Sequence, residues 1–259
     1  MTVPDYTPEI HARRARAFGA LAEEYERWRP RYPDDAVDWM LPQGAREVAD
    51  VGAGTGKLTG LLLARGLRVT AVEPDPAMVA VLSRVHPAAD ARQAGADALP
   101  LGDASADAVV VGQAWHWFPH EQAVAEIRRV LRPGGRLGLI WNQVWPAEPW
   151  QTEVEALNAR ARGHEVDVRD ELPGVVEVEG LPTEELEAAL FPWTELLDPA
   201  AVRSRLATYS HVALLADAER DELLDQVTTV VSAEMTRRGT STLPFRQVAY
   251  CVRWTPSAL

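Results

Sequence analysis

A single cysteine, Cys251, stands among 259 residues, so no internal disulfide can form. That scarcity fits a reducing compartment, and the expected location is the cytoplasm. Long apolar runs are missing too: nothing approaches the roughly 18 residues of a membrane span. Residues 1–17 are mixed polar and lack the apolar core of a secretory signal. Basic residues run short, with 26 Lys and Arg against 38 Asp and Glu, for a formal charge of −12. Phosphate-rich partners need basic patches, so nucleic acid is not an expected partner. No Cys/His spacing suggests zinc, so no metal is expected, and there is no internal repeat. What is present is an ordinary apolar fraction, 47%, on a chain long enough to bury a large core.

The most informative stretch is Val48-Ala49-Asp50-Val51-Gly52-Ala53-Gly54-Thr55-Gly56, which ends one apolar run and opens an amphipathic one. A second apolar run over 68–72 then delivers Glu73. The layout is strand, glycine turn, helix, and a second strand that stops on an acid. Glycines let the backbone approach a ligand, and a helix N-terminus offers free N–H groups. A carboxylate after the next strand is placed to take ribose hydroxyls. A nucleoside-containing cofactor is therefore expected. Two fingerprints fail: G-x-G-x-x-G meets Lys57 at its third glycine, and the phosphate loop meets Val51 and Leu58. A pyrophosphate would also be repelled by Asp50.

The pattern that does stand here, D-x-G-x-G-x-G from Asp50, resembles the first motif of class I S-adenosylmethionine-dependent methyltransferases. Gly95-Ala96-Asp97-Ala98-Leu99-Pro100-Leu101 matches a further family element, as does the turn L-R-P-G-G-R-L over 131–137. Arg29-Pro30-Arg31-Tyr32-Pro33 is similar to an R-P-x-Y-P element of the trans-aconitate-methyltransferase-like, methyltransferase type 11 branch. The resemblance implies S-adenosylmethionine as cofactor, with the glycine loop under its methionine part, Glu73 on the ribose and Asp97 on the adenine amino group. It further implies cofactor contacts from Tyr25, Arg29, Tyr32, Asp50, Gly52, Ala53, Gly54, Gly56, Pro74, Met78, Ala96, Ala98, Gln113, Ala114 and Trp115, with Arg29 or Tyr32 on the carboxylate.

Strands and helices alternate from residue 45 to about 142, which implies a parallel sheet with helices on both faces. The expected fold is α/β, a Rossmann-like doubly wound sheet. The resemblance adds an antiparallel last strand and a helical lid after strand five. Four segments are expected: an N-terminal helical cap (1–44), the cofactor-binding core (45–142), the lid (143–185) and a C-terminal completion of the sheet (186–259). In the cap, Phe18, Leu21, Tyr25 and Trp28 carry helical spacing. Ligands in such sheets bind beyond the carboxyl ends of the strands, which puts Gly52, Glu73, Asp97 and 113–116 on one rim.

Methyl transfer needs in-line positioning and exclusion of water more than strong acids or bases. His116, after strand four, is the candidate general base, or else a lining residue. Trp117, Trp145, Trp150 and Trp193 would line an aromatic substrate chamber. The Asn- or Asp-Pro-Pro-aromatic turn of nucleic-acid base methyltransferases is absent, and so are the paired glutamates of protein-arginine enzymes and the acidic cluster of catechol-type enzymes. A small-molecule acceptor, methylated at a carboxylate or hydroxyl oxygen, is the expected substrate. The alternatives are other chemistry with the same cofactor, or a binding role without turnover.

Overall fold

The computed structural model describes residues 22–145, 148–161 and 177–257. Phe18 and Leu21 of the expected cap helix, and 162–176 of the expected lid, lie outside the described residues. In chain order the elements are α1 (Ala22–Trp28), α2 (Asp34–Met40), β1 (Glu47–Val51), α3 (Lys57–Ala64), β2 (Arg68–Glu73) and α4 (Pro76–Val85). There follow β3 (Asp90–Gln93), β4 (Ala106–Gly112), a 3-10 turn (Trp115–Trp117), α5 (His120–Val130), β5 (Leu131–Val144) and α6 (Pro149–Ala161). A second 3-10 turn (Thr183–Glu185), β6 (Leu186–Leu197), α7 (Pro199–Ala207), α8 (Ser210–Ala213), α9 (Asp217–Arg238) and β7 (Leu243–Trp254) complete the described chain.

The seven strands form one sheet in the order β3-β2-β1-β4-β5-β7-β6. β1 pairs in parallel with both β2 and β4, so the chain reverses its winding at β1. That switch point opens the crevice where ligands of such sheets sit, beyond the strand ends. β7 is antiparallel, as expected. Its side-chain partners fall in reverse order: Gln247 reaches Glu195, whereas Arg253 reaches Glu187. Strand five starts earlier than the sequence suggests, at Leu131. The turn is still there: Ala106 pairs with Leu131 but Ala108 with Arg136, a register shift with Gly134 at φ +76°.

Contacts divide the chain into two units, 30–143 with 173–191 and 249–259, and 1–29 with 144–172 and 192–248. In the first, strand alternation sorts residues to opposite faces. Ala49, Val51, Val109 and Val111 pack with Ala123, Ile127 and Val130 of α5. Val48, Ala108 and Val110 pack with Ala36, Val37 and Met40 of α2 and Leu58 and Leu62 of α3. Helices therefore cover both faces. In the second unit Trp150, Val154, Leu206, Val227, Leu243 and Phe245 form a separate core.

The expected segmentation meets this division unevenly. α6 stands where the lid helix was expected, and its Trp150 and Val154 belong to the core of the second unit. Val178 and Leu181, also in the expected lid, are buried in the core of the first.

Candidate active site

The glycine turn after β1 is held across to β2. Gly52 N and Ala53 N both donate to Val72 O, at 2.8 and 3.1 Å. Gly52 has φ +70°, and a Cβ there would fall 2.6 Å from Ala114 Cβ, so only glycine fits. Gly54 has φ +57° and a Cβ there would meet nothing within 4 Å, so this face of the loop is open to a ligand. Glu73 Oε2 accepts from Gly54 N at 2.9 Å, and Oε1 accepts from Asp75 N at 3.0 Å. Each oxygen keeps further lone-pair capacity for hydroxyl donors. Burial raises the Glu73 pKa, the two N–H groups oppose it, and Asp75 adds to the rise.

Asp50, at the end of β1, is 1% exposed. Its Oδ2 accepts from Thr59 Oγ1 at 2.6 Å, while Oδ1 is buried without a partner. Burial pushes its pKa up to about 7, against the Thr59 hydrogen bonds and helped by the Glu73 charge. A buried carboxylate oxygen left unpaired is costly, and a cation or N–H donor from a ligand would relieve it. Asn142 Oδ1, near the end of β5, is a second buried acceptor without a partner. These orphans and the open Gly54 face fit a ligand that carries a cationic group into the crevice.

The rest of the rim is braced by contacts that motif reading did not reach. Gln113, directly after β4, has φ +58°, a strained value for a non-glycine residue. Its Nε2 donates to Asn142 O at 2.9 Å, and Asn142 Nδ2 donates to Arg31 O at 2.9 Å. Tyr32 is buried under the same strand end: a Cβ on Gly112 would fall 2.7 Å from its hydroxyl. Asp97 is exposed and its carboxylate folds over Gly95, while Ala96 is buried beside it. Pro74 O accepts from Gln93 Nε2 at 3.2 Å, and Met78 is buried on α4. His86 packs on Gly56 and Gly60, where a Cβ would lie 2.5 Å from its ring. No sequence signal marked that histidine.

The loop carrying Asp97 and Ala98 is anchored from α5. Glu126 Oε2 accepts from Leu99 N at 2.7 Å, and Arg129 donates to Leu99 O, Leu101 O and Asp103. The Arg129 hydrogen bond holds the Glu126 carboxyl below its usual range. The i,i+3 spacing of this pair was the available sequence signal. Arg129→Ala should cost about 1–3 kcal/mol of stability, since it leaves two loop carbonyls and Glu126 without their donor. Urea unfolding checks this, and an unchanged midpoint would contradict it.

The two tryptophans after β4 differ. Trp115 is turned into the core, with Nε1 donating to Glu179 O at 3.1 Å and its ring stacked on His120 at 5.4 Å. Trp117 is half-buried, its ring 4.9 Å from that of His116, and His116 itself is exposed. The remaining expected residues lie in the second unit. There the Arg29 guanidinium stands over the rings of Tyr25 and Tyr209, at 5.0 and 4.4 Å. Trp150 is a core residue, 6.0 Å from Phe245, rather than a chamber wall. Trp145 is exposed, with its backbone N–H on Arg246 O, and Trp193 is half-buried on β6.

Residues 49–139 match the methyltransferase domain family. An uncharacterized methyltransferase of Mycobacterium tuberculosis is 40% identical over 239 residues, covering 92% of this chain and 95% of that protein. The chain belongs to the class I S-adenosylmethionine-dependent methyltransferases. Another relative, an uncharacterized methyltransferase-like protein of Schizosaccharomyces pombe, is 30% identical over 83% of this chain and 87% of its own length. A solved structure described as a type II methyltransferase from Anaeromyxobacter dehalogenans superposes with a TM-score of 0.60 at 26% identity. It covers 87% of this chain and 96% of that one. S-adenosylmethionine is thus the cofactor of this methyltransferase. Its ammonium and sulfonium suit the acidic, pyrophosphate-hostile loop at Asp50.

Proposed function

We propose that this methyltransferase transfers the methyl group to a carboxylate or hydroxyl oxygen of a small organic molecule. The observation that carries the reading is the Trp115–Trp117 turn. It follows the strand end at the switch point and presents an exposed imidazole, His116, beside an aromatic ring. When bound, S-adenosylmethionine supplies an electrophilic methyl carbon on a sulfonium. The chain's own residues hold and shield. The open face at Gly54 lets the backbone lie against the cofactor, with Ala53 and Gly56 completing the turn. Asp50 Oδ1 takes the ammonium, and Glu73 takes the ribose hydroxyls with the capacity left by Gly54 N and Asp75 N. Asp97 takes the adenine amino group, with Ala96, Ala98, Pro74 and Met78 as the apolar surround. Gln113 and Ala114 place the turn, Tyr32 supports it, and Trp117 covers the acceptor. His116 removes the proton from a hydroxyl acceptor; a carboxylate acceptor needs no such step.

Two tests bear on this assignment. Glu73→Ala should weaken S-adenosylmethionine binding by about 1–3 kcal/mol, because the ribose hydroxyls and loop N–H groups lose their acceptor. Unchanged affinity in a calorimetric titration would remove Glu73 from the site. For the reaction itself, S-adenosylmethionine with an isotopically labelled methyl group is incubated with small acids and phenols. Label in an ester or methyl ether, matched by S-adenosylhomocysteine, is the expected result. Cofactor consumed without methylated product would instead favour different chemistry on the same fold.

A further inference from the structure

Asn142 follows Ile140 by two residues on β5, and its Oδ1 is buried with no donor. Its Nδ2 donates to Arg31 O at 2.9 Å. A carbonyl oxygen only accepts, so the amide is fixed with Nδ2 on Arg31 and Oδ1 turned away from it. Strand pairing puts the residue at the rim. Gly112 pairs with Ile140, and Gln113 N donates to Ile140 O at 2.9 Å. Gln113 Nε2 then donates to Asn142 O at 2.9 Å. Asn142 therefore stands beside the β4 exit, just past the last strand pair, next to Gln113 at φ +58°. Arg31, Asp50, Gln113 and Asn142 all belong to the first unit.

Buried polar atoms are almost always satisfied in folded proteins, so this oxygen calls for a donor. The donor is not the group that serves Asp50. Asp50 pairs with Val110 and Val110 with Gly138, so Asn142 lies two strands across and four residues further along. Strand spacing and rise put the two residues roughly 16 Å apart. One ammonium cannot reach both. With adenine at Asp97, ribose at Glu73 and the ammonium at Asp50, as proposed above, the cofactor lies over the ends of β3, β2 and β1. The ends of β4 and β5 are left to the acceptor, on the side where the turn with His116 and Trp117 begins. The chemistry of the oxygen then selects the group. A neutral amide gives a buried cation no counter-charge, and a carboxylate brings lone pairs where a proton is needed. A hydroxyl meets both conditions.

We infer that Asn142 is a specificity-determining residue whose Oδ1 holds a hydroxyl of the methyl acceptor, separate from the oxygen that is methylated. The acceptor class is a hydroxylated molecule with one anchored and one reacting oxygen group, a clause that rests on the O-methylation proposed above. Phenol is the probe, and anisole, with the same ring and oxygen but no O–H, is its control. The full chain, labelled with nitrogen-15 and saturated with S-adenosylhomocysteine, is titrated with each. The side-chain amide resonances of Asn142 and Gln113 are followed. Phenol should shift the Asn142 amide saturably, and anisole should not. Asn142→Leu, close in size, should weaken the phenol response of the Gln113 amide about tenfold. Its affinity for S-adenosylhomocysteine should stay within about twofold of the parent, which also certifies its fold. The comparison of phenol with anisole needs only the parent, so it decides the matter if Asn142→Leu does not fold.

The anchor is overturned if phenol gives no response, if anisole matches it, or if the phenol response survives Asn142→Leu unchanged. Loss of S-adenosylhomocysteine affinity in a folded Asn142→Leu would give the residue to the cofactor and overturn the anchor as well. So would turnover in which esters or methyl ethers form equally well on acceptors without a second hydroxyl, a result that leaves O-methylation standing. Methyl groups found on nitrogen or carbon, with the phenol response intact, would sink O-methylation and leave the anchoring hydroxyl.

Discussion

Between pH 6 and pH 8 the affinity for S-adenosylmethionine should rise about tenfold, and Asp50→Asn should remove that slope. The cause is the site of the Asp50 carboxyl, buried at the end of β1 with one oxygen on Thr59 and the other unpaired. Burial, the largest effect, raises its pKa to about 7, so at pH 6 most molecules carry the neutral acid. In the proposed assignment the cofactor's ammonium pairs with the ionised form. Only that fraction is competent, and it grows as pH climbs through 7. The same shift has the opposite sign for stability of the free protein. A carboxyl whose folded pKa lies above its unfolded value stabilises fully below the unfolded pKa, near 3.8, and loses that contribution as pH rises through about 7. The loss is on the order of 4 kcal/mol over that window. Asp50→Asn, fixed in the neutral form, should gain about that much relative to the parent between pH 4 and pH 8. Parallel pH curves for the two proteins, in binding and in unfolding, would contradict the assignment.

His116→Ala should lower kcat for a hydroxyl acceptor by about 10²- to 10⁴-fold and leave cofactor affinity unchanged. The imidazole stands exposed on the 3-10 turn after β4, against Trp117. Imidazole is the side chain best suited to take a proton under physiological conditions. The pH–rate profile of the parent should show an acid limb that the variant loses. His116→Gln, which keeps polarity without basicity, should behave like the alanine variant. A near-normal rate in either would leave His116 only a lining role.

The parallel core was legible because local patterns and topology agree there. The Asp50–Gly56 loop, Glu73 and Gln113 lie at strand ends, and strand ends follow from alternation of apolar residues. Contacts that depend on where distant segments fold back were not legible. Gln113 meeting Asn142, His86 filling the space over Gly56 and Gly60, and Trp115 hydrogen bonded to Glu179 each join residues far apart in sequence. No local period encodes them. Trp150 shows the same limit from the other side. Trp150 was expected to line the substrate chamber, and Phe245, nearly a hundred residues on, packs it into a core instead. Arg29 Nε, Arg205 Nη1 and Trp193 Nε1 are buried donors without a partner, a property visible only once burial is known.

In the proposed site the Asp50–Gly56 loop and Glu73 receive S-adenosylmethionine. Calorimetric titration with S-adenosylmethionine, S-adenosylhomocysteine and NAD tests it most directly. Binding of the first two is expected at about micromolar dissociation constants, about −8 kcal/mol, with no heat from NAD. Binding of NAD without either sulfur nucleoside would contradict the reading of Asp50, and with it the roles assigned to the whole rim.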